Sequence, residues 1–398
     1  MFKKTALKRL LECWKKGCFD VQYWDGETET IGSGKPSFKI IFTRAPELKD
    51  VRTDVTLMLG EAYMEGILDF EGNLDDIIHT MFQNSKDDLP LDIKKKYNFK
   101  ELEKELKNGI EVEESKNIHS HYDLGNDFFS LWLDKTMSYS CAYFKTETDS
   151  LHTAQINKID HSLKKLKLKK GDRLLDIGCG WGDLVIRAAQ QYGVHTVGIT
   201  LSMEQYNGAR QRIAQLGLTE LCDIRLINYL DMNPKAEQFD RIISIGMLEH
   251  VGKNFLPLYL YKVNRLLKPQ GLFLLHSITG FTESPSNSWI RKYIFPGGYV
   301  PTEKETIALL PDFDFHLLHM ESLRLHYART LDCWYTNFQQ HELEITKMYG
   351  TKFVRMWALY LQGCAAAFRI GSIDVCQYLL SKNICNNLPA TFSYMYDK

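Results

Sequence analysis

The sequence predicts an α/β protein in which a small α+β domain precedes a larger domain with a doubly wound, Rossmann-like sheet. Strand-like and helix-like segments alternate between residues 173 and 276, which is typical of a parallel sheet covered by helices on both faces. The first of these strands runs into a glycine-rich turn at residues 178–182. A chain of 398 residues is also long enough for two or three domains.

The predicted N-terminal domain covers residues 1–110. Phe38–Phe42 is strand-like, and Val55–Met64 has the apolar content of a helix. Asp87–Glu114 is dense in Lys, Glu and Asp and has few apolar residues, so we interpret it as a charged helix or linker between two domains. The second domain is then expected to cover residues 111–398.

The first 18 residues combine basic and apolar positions at helical spacing. Such a helix can lie on an anionic membrane, or it can pack its apolar face on its own domain. Charged residues interrupt the apolar run, so no signal peptide is predicted, and no stretch is long enough to span a bilayer. The basic positions are Lys3, Lys4, Lys8, Arg9, Lys15 and Lys16, and the apolar positions are Phe2, Ala6, Leu7, Leu10, Leu11 and Trp14.

The composition narrows the classes of function. A net charge of −1, without a basic stripe interleaved with aromatic residues, argues against a nucleic-acid partner. The nine cysteines are scattered and include no C-x-x-C pair, which predicts a reduced, cytoplasmic protein without structural zinc. We therefore expect a functional site that binds neither nucleic acid nor a metal ion.

The alternating segments of the second domain predict five strands. Ser202-Met203-Glu204-Gln205 has the S-x-x-Q form of a capping box, so the helix after the second strand should begin there and end at Gly217. After residue 330 the apolar residues follow helical spacing, as in core helices. The predicted strands cover Arg173–Ile177, His195–Thr200, Asp223–Ile227, Phe239–Gly246 and Gly271–His276.

The turn after the first strand reads D-x-G-x-G-x-G from Asp176 to Gly182. A dinucleotide fingerprint reads G-x-G-x-x-G, so the leading acid and the missing third glycine favour S-adenosylmethionine over NAD. Gly178 and Gly180 allow the backbone to approach the methionine and ribose of this cofactor, and Asp176 can accept a hydrogen bond from its ammonium group. The alternative is a tight turn that uses glycine only for its geometry.

Polar residues follow three strands that are neighbours in the common doubly wound order. Asp176 ends the first strand, Glu249 and His250 follow the fourth, and His276 ends the fifth. Ligands bind beyond the carboxyl ends of such strands, so we expect these side chains to converge at a functional site. Taken singly, Glu249 could cap a turn and His276 could be a core imidazole.

The segment after the second strand lacks the acidic residue that clamps the ribose in many methyltransferases. Thr200-Leu201-Ser202 stands there instead. The ribose hydroxyls would then meet the Thr200 hydroxyl, the backbone or Gln205, while Ser202 and Gln205 can also serve as a helix cap.

Further motifs occur in a fixed order along the chain and give it a resemblance to the cyclopropane-fatty-acid synthases and their mycolic-acid relatives. The resemblance extends over almost the whole chain, including Gly60–Met64 in the N-terminal domain. Only the glycine turn is shared with many other methyltransferases. The motifs are Ser120–Phe129, Tyr139–Tyr143, Thr200–Ser202, Glu249–Gly252, Tyr293–Gly298 and His326–Thr330.

The resemblance implies methylene transfer from S-adenosylmethionine to a cis double bond in a phospholipid acyl chain. An alkene attacks the sulfonium methyl without a base, but the resulting carbocation must lose a proton before water captures it. This chemistry needs a dry aromatic pocket, whose ring faces stabilise a cation, and one positioned base. The resemblance implies bicarbonate as that base, held by Cys141, Glu249, His276, the backbone at Ile278, and Tyr327.

The resemblance also implies a set of cofactor contacts and a homodimer that works on the inner face of a bacterial membrane. At one cofactor segment the usual form is Asp-Tyr-Arg-Asp, from which Asn228 and Leu230 depart. Two alternatives remain: a lipid methyltransferase that gives a methyl-branched or hydroxylated product, and a non-catalytic lipid-binding protein. The implied cofactor contacts are Tyr122, Tyr139, Ser140, Gly178, Gly180, Thr200, Leu201, Gln205, Tyr229 and Leu230.

Overall fold

The computed structural model describes residues 2–12, 14, 17–46, 55–84, 124–283 and 287–396. The chain divides into two compact units. The division differs from the predicted one because two later segments group with the N-terminal residues, while the predicted boundary near residue 110 lies outside the described residues. Unit 1 comprises residues 1–96, 285–296 and 331–372, and unit 2 comprises residues 97–284, 297–330 and 373–398.

Unit 1 contains a four-stranded sheet with the order β2-β1-β3-β4. β1 pairs antiparallel with β2 and parallel with β3, and β3 pairs antiparallel with β4. The predicted strand Phe38–Phe42 and helix Val55–Met64 are both confirmed. The strands are β1 (Cys18–Gln22), β2 (Thr28–Gly32), β3 (Phe38–Phe42) and β4 (Leu68–Gly72), and the helices are Phe2–Leu11, Val55–Met64, Leu74–Asn84, Ser288–Tyr293, Glu342–Tyr349 and Thr351–Arg369.

The N-terminal helix Phe2–Leu11 packs its apolar face into the core of unit 1. Leu7 and Leu11 are fully buried, Trp14 is 9% exposed, and all three belong to the same core cluster as the strands. Of the two interpretations, the one in which the helix packs its apolar face on its own domain is therefore confirmed, and these three side chains are not available to a membrane surface. Two of its lysines are paired within the unit, as Lys4–Asp25, Lys4–Glu27 and Lys8–Glu29.

Unit 2 is built on a seven-stranded sheet with the order β10-β11-β9-β8-β5-β6-β7. The five strands from β9 to β7 are parallel, and β11 and β10 join the β9 edge antiparallel. The doubly wound fold class is confirmed, and β5 and β6 begin and end at the predicted residues. The strands are β5 (Arg173–Ile177), β6 (His195–Thr200), β7 (Cys222–Leu226), β8 (Phe239–Ile245), β9 (Leu267–Gly280), β10 (Phe315–Ser322) and β11 (Ile373–Lys382).

The prediction that only helices follow residue 330 is wrong, because β11 covers Ile373–Lys382. It lies between β9 and β10, and residues 375–381 are buried without interruption. A strand buried on both faces shows no alternation of apolar and polar residues, so periodicity cannot distinguish it from a buried helix.

Helices pack against β5, β6, β7 and β9 of the larger sheet. The predicted core residues Trp334 and Trp357, which belong to unit 1, are buried. Within the described part of the chain, no helix has the length and apolar character needed to cross a membrane. The remaining helices are Gly125–Ser130, Leu151–Lys165, Asp183–Tyr192, Met203–Gln215, Leu256–Leu266, Glu303–Leu309 and Arg324–Gln340.

Candidate active site

A cavity lies at the carboxyl ends of β5, β6 and β8, where the sheet order predicts a ligand site. Most of the predicted cofactor residues line it. Leu230 instead packs against the core, and Tyr122 lies outside the described residues. The predicted residues that line the cavity are Tyr139, Ser140, Asp176, Gly178, Gly180, Thr200, Leu201, Gln205 and Tyr229, and His250 lines it as well.

The glycines of the turn allow its backbone conformation and also leave space for a ligand. Gly178 and Gly180 have φ angles of 85° and 54°, in the left-handed region that glycine adopts without strain. A Cβ atom at Gly180 would meet nothing within 4 Å, so the backbone there borders open space in the cavity wall. Glycine at this position therefore leaves the main chain accessible to a bound molecule.

Asp176 is a buried carboxyl group in the cavity wall, with only 3% of its surface exposed. Burial raises the pKa of Asp176 to about 7, although the nearby charge of Lys158 acts in the opposite direction. Lys158 also lines the cavity and donates to Ser140 Oγ at 2.9 Å. Nothing in the helical pattern around Lys158 distinguishes it from a surface residue, so the sequence alone does not predict its place in the cavity wall.

The Thr200–Gln205 segment serves as a helix cap and also reaches the cavity. Ser202 Oγ accepts from the backbone N–H of Gln205 at 3.3 Å, so the predicted N-cap is confirmed. The Gln205 side chain, however, accepts from Thr200 Oγ1 at 2.7 Å. The Thr200 hydroxyl thus donates its proton within the turn. The NH₂ group of Gln205 is then the group of this pair that can donate a hydrogen bond to a ribose.

Glu249 and His276 lie at the neighbouring ends of β8 and β9, and neither is among the residues that line the cavity. Glu249 lies in a short turn after β8, and His276 pairs with Ile245 of β8. Glu249 Oε1 accepts from the backbone N–H of Ile278 at 2.6 Å. The ends of these two strands are therefore adjacent, while the convergence of the polar side chains at one functional site stays a prediction. The Ile278 amide, predicted to hold an anion, donates to Glu249 here.

Each of these two side chains has a buried polar atom without a hydrogen-bond partner among the described residues, namely Glu249 Oε2 and His276 Nε2. The nearby Ser277 hydroxyl donates to the carbonyl of Ile278 at 3.0 Å. Burial raises the pKa of Glu249 to about 7 and lowers the pKa of His276 to about 3, so the imidazole is neutral near pH 7. A buried polar atom of this kind is costly unless a ligand completes its hydrogen bonds.

Cys141 and Tyr327 are connected through Leu323. Cys141 is fully buried, and its Sγ lies 3.7 Å from the carbonyl oxygen of Leu323. The same carbonyl accepts from the backbone N–H of Tyr327 at 3.0 Å. Burial raises the pKa of the Cys141 thiol, which favours a neutral thiol rather than a nucleophile. Neither Cys141 nor Tyr327 is among the residues that line the cavity.

The motifs Tyr139–Tyr143 and His326–Thr330 are held together by side chains of the second motif. Thr330 Oγ1 accepts from the backbone N–H of Ala142 at 3.0 Å, and His326 Nδ1 accepts from that of Phe144 at 3.0 Å. This explains the presence of a polar residue at each end of the later motif.

An aromatic cluster lies behind the cavity. Phe128, Phe129 and Trp132 are fully buried and in mutual contact. Their rings reach Tyr139 at 5.3 to 5.5 Å and Trp181 at 5.9 Å, and both of these line the cavity. Of these aromatic residues, Tyr139 and Trp181 line the cavity, and the other three pack behind them.

The sequence model of the mycolic acid cyclopropane synthetase family matches residues 111–378, and a model of a domain of unknown function matches residues 6–90. The chain belongs to the mycolic acid cyclopropane synthetase family. It is an S-adenosylmethionine-dependent methyltransferase, which confirms the predicted cofactor class and the resemblance.

Three similar proteins illustrate the relationship. The cyclopropane-fatty-acyl-phospholipid synthase of Escherichia coli K12 is 44% identical over 269 residues, which are 67% of this chain and 68% of that protein. A probable fatty acid methyltransferase of Pseudomonas putida is 35% identical and covers 94% of this chain and 95% of its own. The structure of the cyclopropane synthase MmaA2 from Mycobacterium tuberculosis is 38% identical, with a TM-score of 0.64 over 67% of this chain and 98% of its own.

A solved structure of the mycolic acid cyclopropane synthase CmaA1 contains S-adenosylhomocysteine and CTAB. It is 37% identical to this chain, with a TM-score of 0.64, and covers 67% of this chain and 98% of its own. CTAB is a cationic molecule with a long alkyl chain. That protein therefore holds the spent cofactor and a lipid-like molecule at the same time.

Proposed function

We propose that this protein transfers a methylene group from S-adenosylmethionine to the cis double bond of unsaturated acyl chains in membrane phospholipids, giving cyclopropane fatty acids. The observation that carries the proposal is the pair of buried atoms Glu249 Oε2 and His276 Nε2, which have no partner among the described residues. Neither residue lines the cofactor cavity, but Ile245, which pairs with His276, and His250, which follows Glu249, both do. A methyltransferase acting on an alkene needs no base before methyl transfer, but it needs one afterwards. A site that orients such a base fits ring closure.

The bond changes balance in two steps. The π electrons of the alkene form a bond to the methyl carbon while the carbon–sulfur bond breaks, which leaves S-adenosylhomocysteine and a carbocation. The new methyl group then loses a proton, and the electrons of that C–H bond close the three-membered ring. Buried aromatic side chains, such as Phe129 and Trp132, keep water from the cation during the interval.

The site residues fit bicarbonate as the group that accepts this proton. An ionised Glu249 Oε2 accepts a hydrogen bond from a hydroxyl, while a ring N–H of His276 and the Tyr327 hydroxyl are suited to donate to oxygens. Glu249 as the acceptor and His276 and Tyr327 as the donors would therefore fix the orientation of an anion with one O–H. When bound, bicarbonate would supply the basic oxygen.

A second candidate is a lipid methyltransferase that gives a methyl-branched or hydroxylated product. The Pseudomonas putida relative, which matches nearly the whole chain, is described as a probable fatty acid methyltransferase. The two candidates share the methyl transfer and differ only in how the cation is quenched. The product therefore distinguishes them.

The decisive experiment incubates the protein with S-adenosylmethionine and vesicles of an unsaturated phospholipid, followed by mass spectrometry of the released fatty acids. We expect acyl chains that are one CH₂ heavier and carry a cyclopropane ring. A methyl branch or a hydroxyl group in the product would support the second candidate. If no product forms although S-adenosylmethionine binds in a calorimetric titration, the proposed reaction on phospholipid acyl chains is wrong.

The affinity for S-adenosylmethionine is expected to depend on the ionisation of Asp176. Burial raises the pKa of its carboxyl group to about 7, and only the ionised form can pair a negative charge with the cofactor's ammonium group. The ratio of wild-type affinity to Asp176→Asn affinity should therefore rise from about pH 6 to about pH 8, reaching about 10-fold or more. Calorimetric titrations of both proteins across this range measure it. A constant ratio would remove Asp176 from the cofactor contacts.

We propose that the enzyme acts as a homodimer, peripheral to the inner face of the membrane.

With Leu7 and Leu11 buried, a side chain that docks on the membrane must be sought elsewhere, and Phe281, in the loop after β9, is 78% exposed. Phe281→Ser should weaken binding to phospholipid vesicles by about 10-fold, because insertion of a phenyl ring contributes about 1.5–3 kcal/mol. Sedimentation with vesicles measures this loss. Ile384→Ser, at a position 66% exposed, is the matched control, and an equal loss in both variants would contradict a specific role for Phe281.

A further inference from the structure

A chain of buried hydrogen bonds leads from Lys165 to the ring of His276. Lys165 Nζ donates to Gln377 Oε1 at 2.6 Å, and Gln377 Nε2 lies 3.1 Å from His276 Nδ1. Gln377 stands directly opposite His276 in the pairing of β11 with β9, so the two side chains share one face of the sheet. Lys165 and Gln377 are fully buried and His276 is 2% exposed.

Two independent contacts determine how the Gln377 amide is oriented. An ammonium group only donates, so the amide oxygen must face Lys165 and the NH₂ group must face His276. The NH₂ group also lies 3.1 Å from Ser162 Oγ, whose own proton is donated to the carbonyl of Lys158 at 2.8 Å. Ser162 can therefore only accept from Gln377. Both contacts require the same orientation.

The charge of Lys165 is maintained by Glu321. Lys165 Nζ lies 2.5 Å from Glu321 Oε2, and His161 Nε2 lies 2.7 Å from the same oxygen. Burial by itself would raise the pKa of Glu321, but the hydrogen bond with His161 and the charge of Lys165 outweigh it and lower the pKa to about 2. A carboxylate at this place keeps the lysine protonated and therefore a donor.

We propose that Gln377, oriented by Lys165, is a positioning residue that holds His276 in the Nε2–H tautomer, so that the ring presents a hydrogen-bond donor to an oxyanion at the active site. Nδ1 accepts from Gln377 and carries no proton, so the single proton of the neutral ring is on Nε2. That atom is buried without a partner among the described residues. Only the nature of the oxyanion rests on the proposed function.

The tautomer can be measured directly by ¹⁵N NMR of protein labelled at histidine, because protonated and bare ring nitrogens differ strongly in chemical shift. The His276 signals are assigned by their loss in His276→Gln. We expect a protonated Nε2 and a bare Nδ1 in the wild type. In Gln377→Glu a carboxylate oxygen faces the ring, so Nδ1 should gain a proton. Ser162→Ala is the matched control, because Lys165 still orients the amide and the wild-type tautomer should persist.

The assay gives a second readout. Gln377→Glu should lower kcat by about 10- to 100-fold, with the KM values for both substrates near those of the wild type. The reason is that the His276 ring stays in place and only its tautomer changes. If this variant does not fold, Gln377→Met removes the donor to Nδ1 and should give a mixture of both tautomers.

A protonated Nδ1 in the wild type would overturn the inference, and so would an unchanged Nε2–H tautomer in the folded Glu or Met variant. These spectra need no substrate. If the tautomers are as expected while the wild type makes no cyclopropane product, the proposed function fails and the positioning role of Gln377 stands.

Discussion

Glu249→Gln is expected to lower ring formation by about 100- to 1,000-fold while the affinity for S-adenosylmethionine stays within about twofold of wild type. Glutamine keeps the shape of the side chain and one acceptor for the Ile278 amide, but it loses the charge that would orient the base. Product formation in a single turnover, measured beside a calorimetric titration of S-adenosylmethionine, separates the two effects.

The role of Glu249 also predicts how the rate depends on pH and on bicarbonate. Glu249 must be ionised to accept from the base, and burial raises its pKa to about 7, so the wild-type rate should rise with pH through about 7. Adding bicarbonate to carbonate-depleted protein should restore the wild type fully and Glu249→Gln poorly. Glu220→Gln, at an exposed position, is the matched control. A wild-type rate that does not respond to thorough removal of bicarbonate would exclude the ion as the base.

Glu321→Ala is expected to lower the free energy of unfolding by about 3–5 kcal/mol, because it leaves the fully buried ammonium of Lys165 without a counter-charge. Urea denaturation at neutral pH measures the loss. The pKa of Glu321 is lowered below its ordinary value of 4.5. Its contribution to stability is therefore present above about pH 4.5 and is lost as the pH falls towards about 2.

Two further variants control this experiment. The double variant Lys165→Met with Glu321→Leu removes both charges and should recover most of the lost stability. Asp223→Ala breaks the exposed pair Arg225–Asp223 and should cost less than about 1 kcal/mol. A loss below about 1 kcal/mol in Glu321→Ala would mean that water or another group compensates Lys165.

Local signals in the sequence were sufficient for several elements of the fold. β5 and β6 occupy the predicted residues because each is an apolar run next to turn-forming residues, and Ser202 caps its helix as its pattern predicts. The placement of Glu249 and His276 at one edge was also predictable, because the carboxyl ends of neighbouring parallel strands lie side by side.

The residues that surround Glu249 and His276 could not be predicted from the sequence. Gln377 reads as an ordinary polar residue, and only the antiparallel pairing of β11 with β9 places it opposite His276. Lys158 and Lys165 follow the spacing of a surface helix, yet both are buried because the chain brings other segments over them. Burial depends on contacts between residues more than a hundred positions apart, such as Lys165 and Gln377, and no local pattern encodes those contacts.

The N-terminal helix shows the same division between local pattern and tertiary contact. Its sequence determined an amphipathic helix with basic and apolar faces, a pattern that suits either a membrane surface or a protein core. The tertiary structure decided between them, because the sheet of unit 1 offers an apolar face to Leu7 and Leu11, and acidic residues such as Asp25 and Glu29 pair with the lysines. The pattern specified which side chains would be buried, and the contacts with residues distant in the sequence determined what buries them.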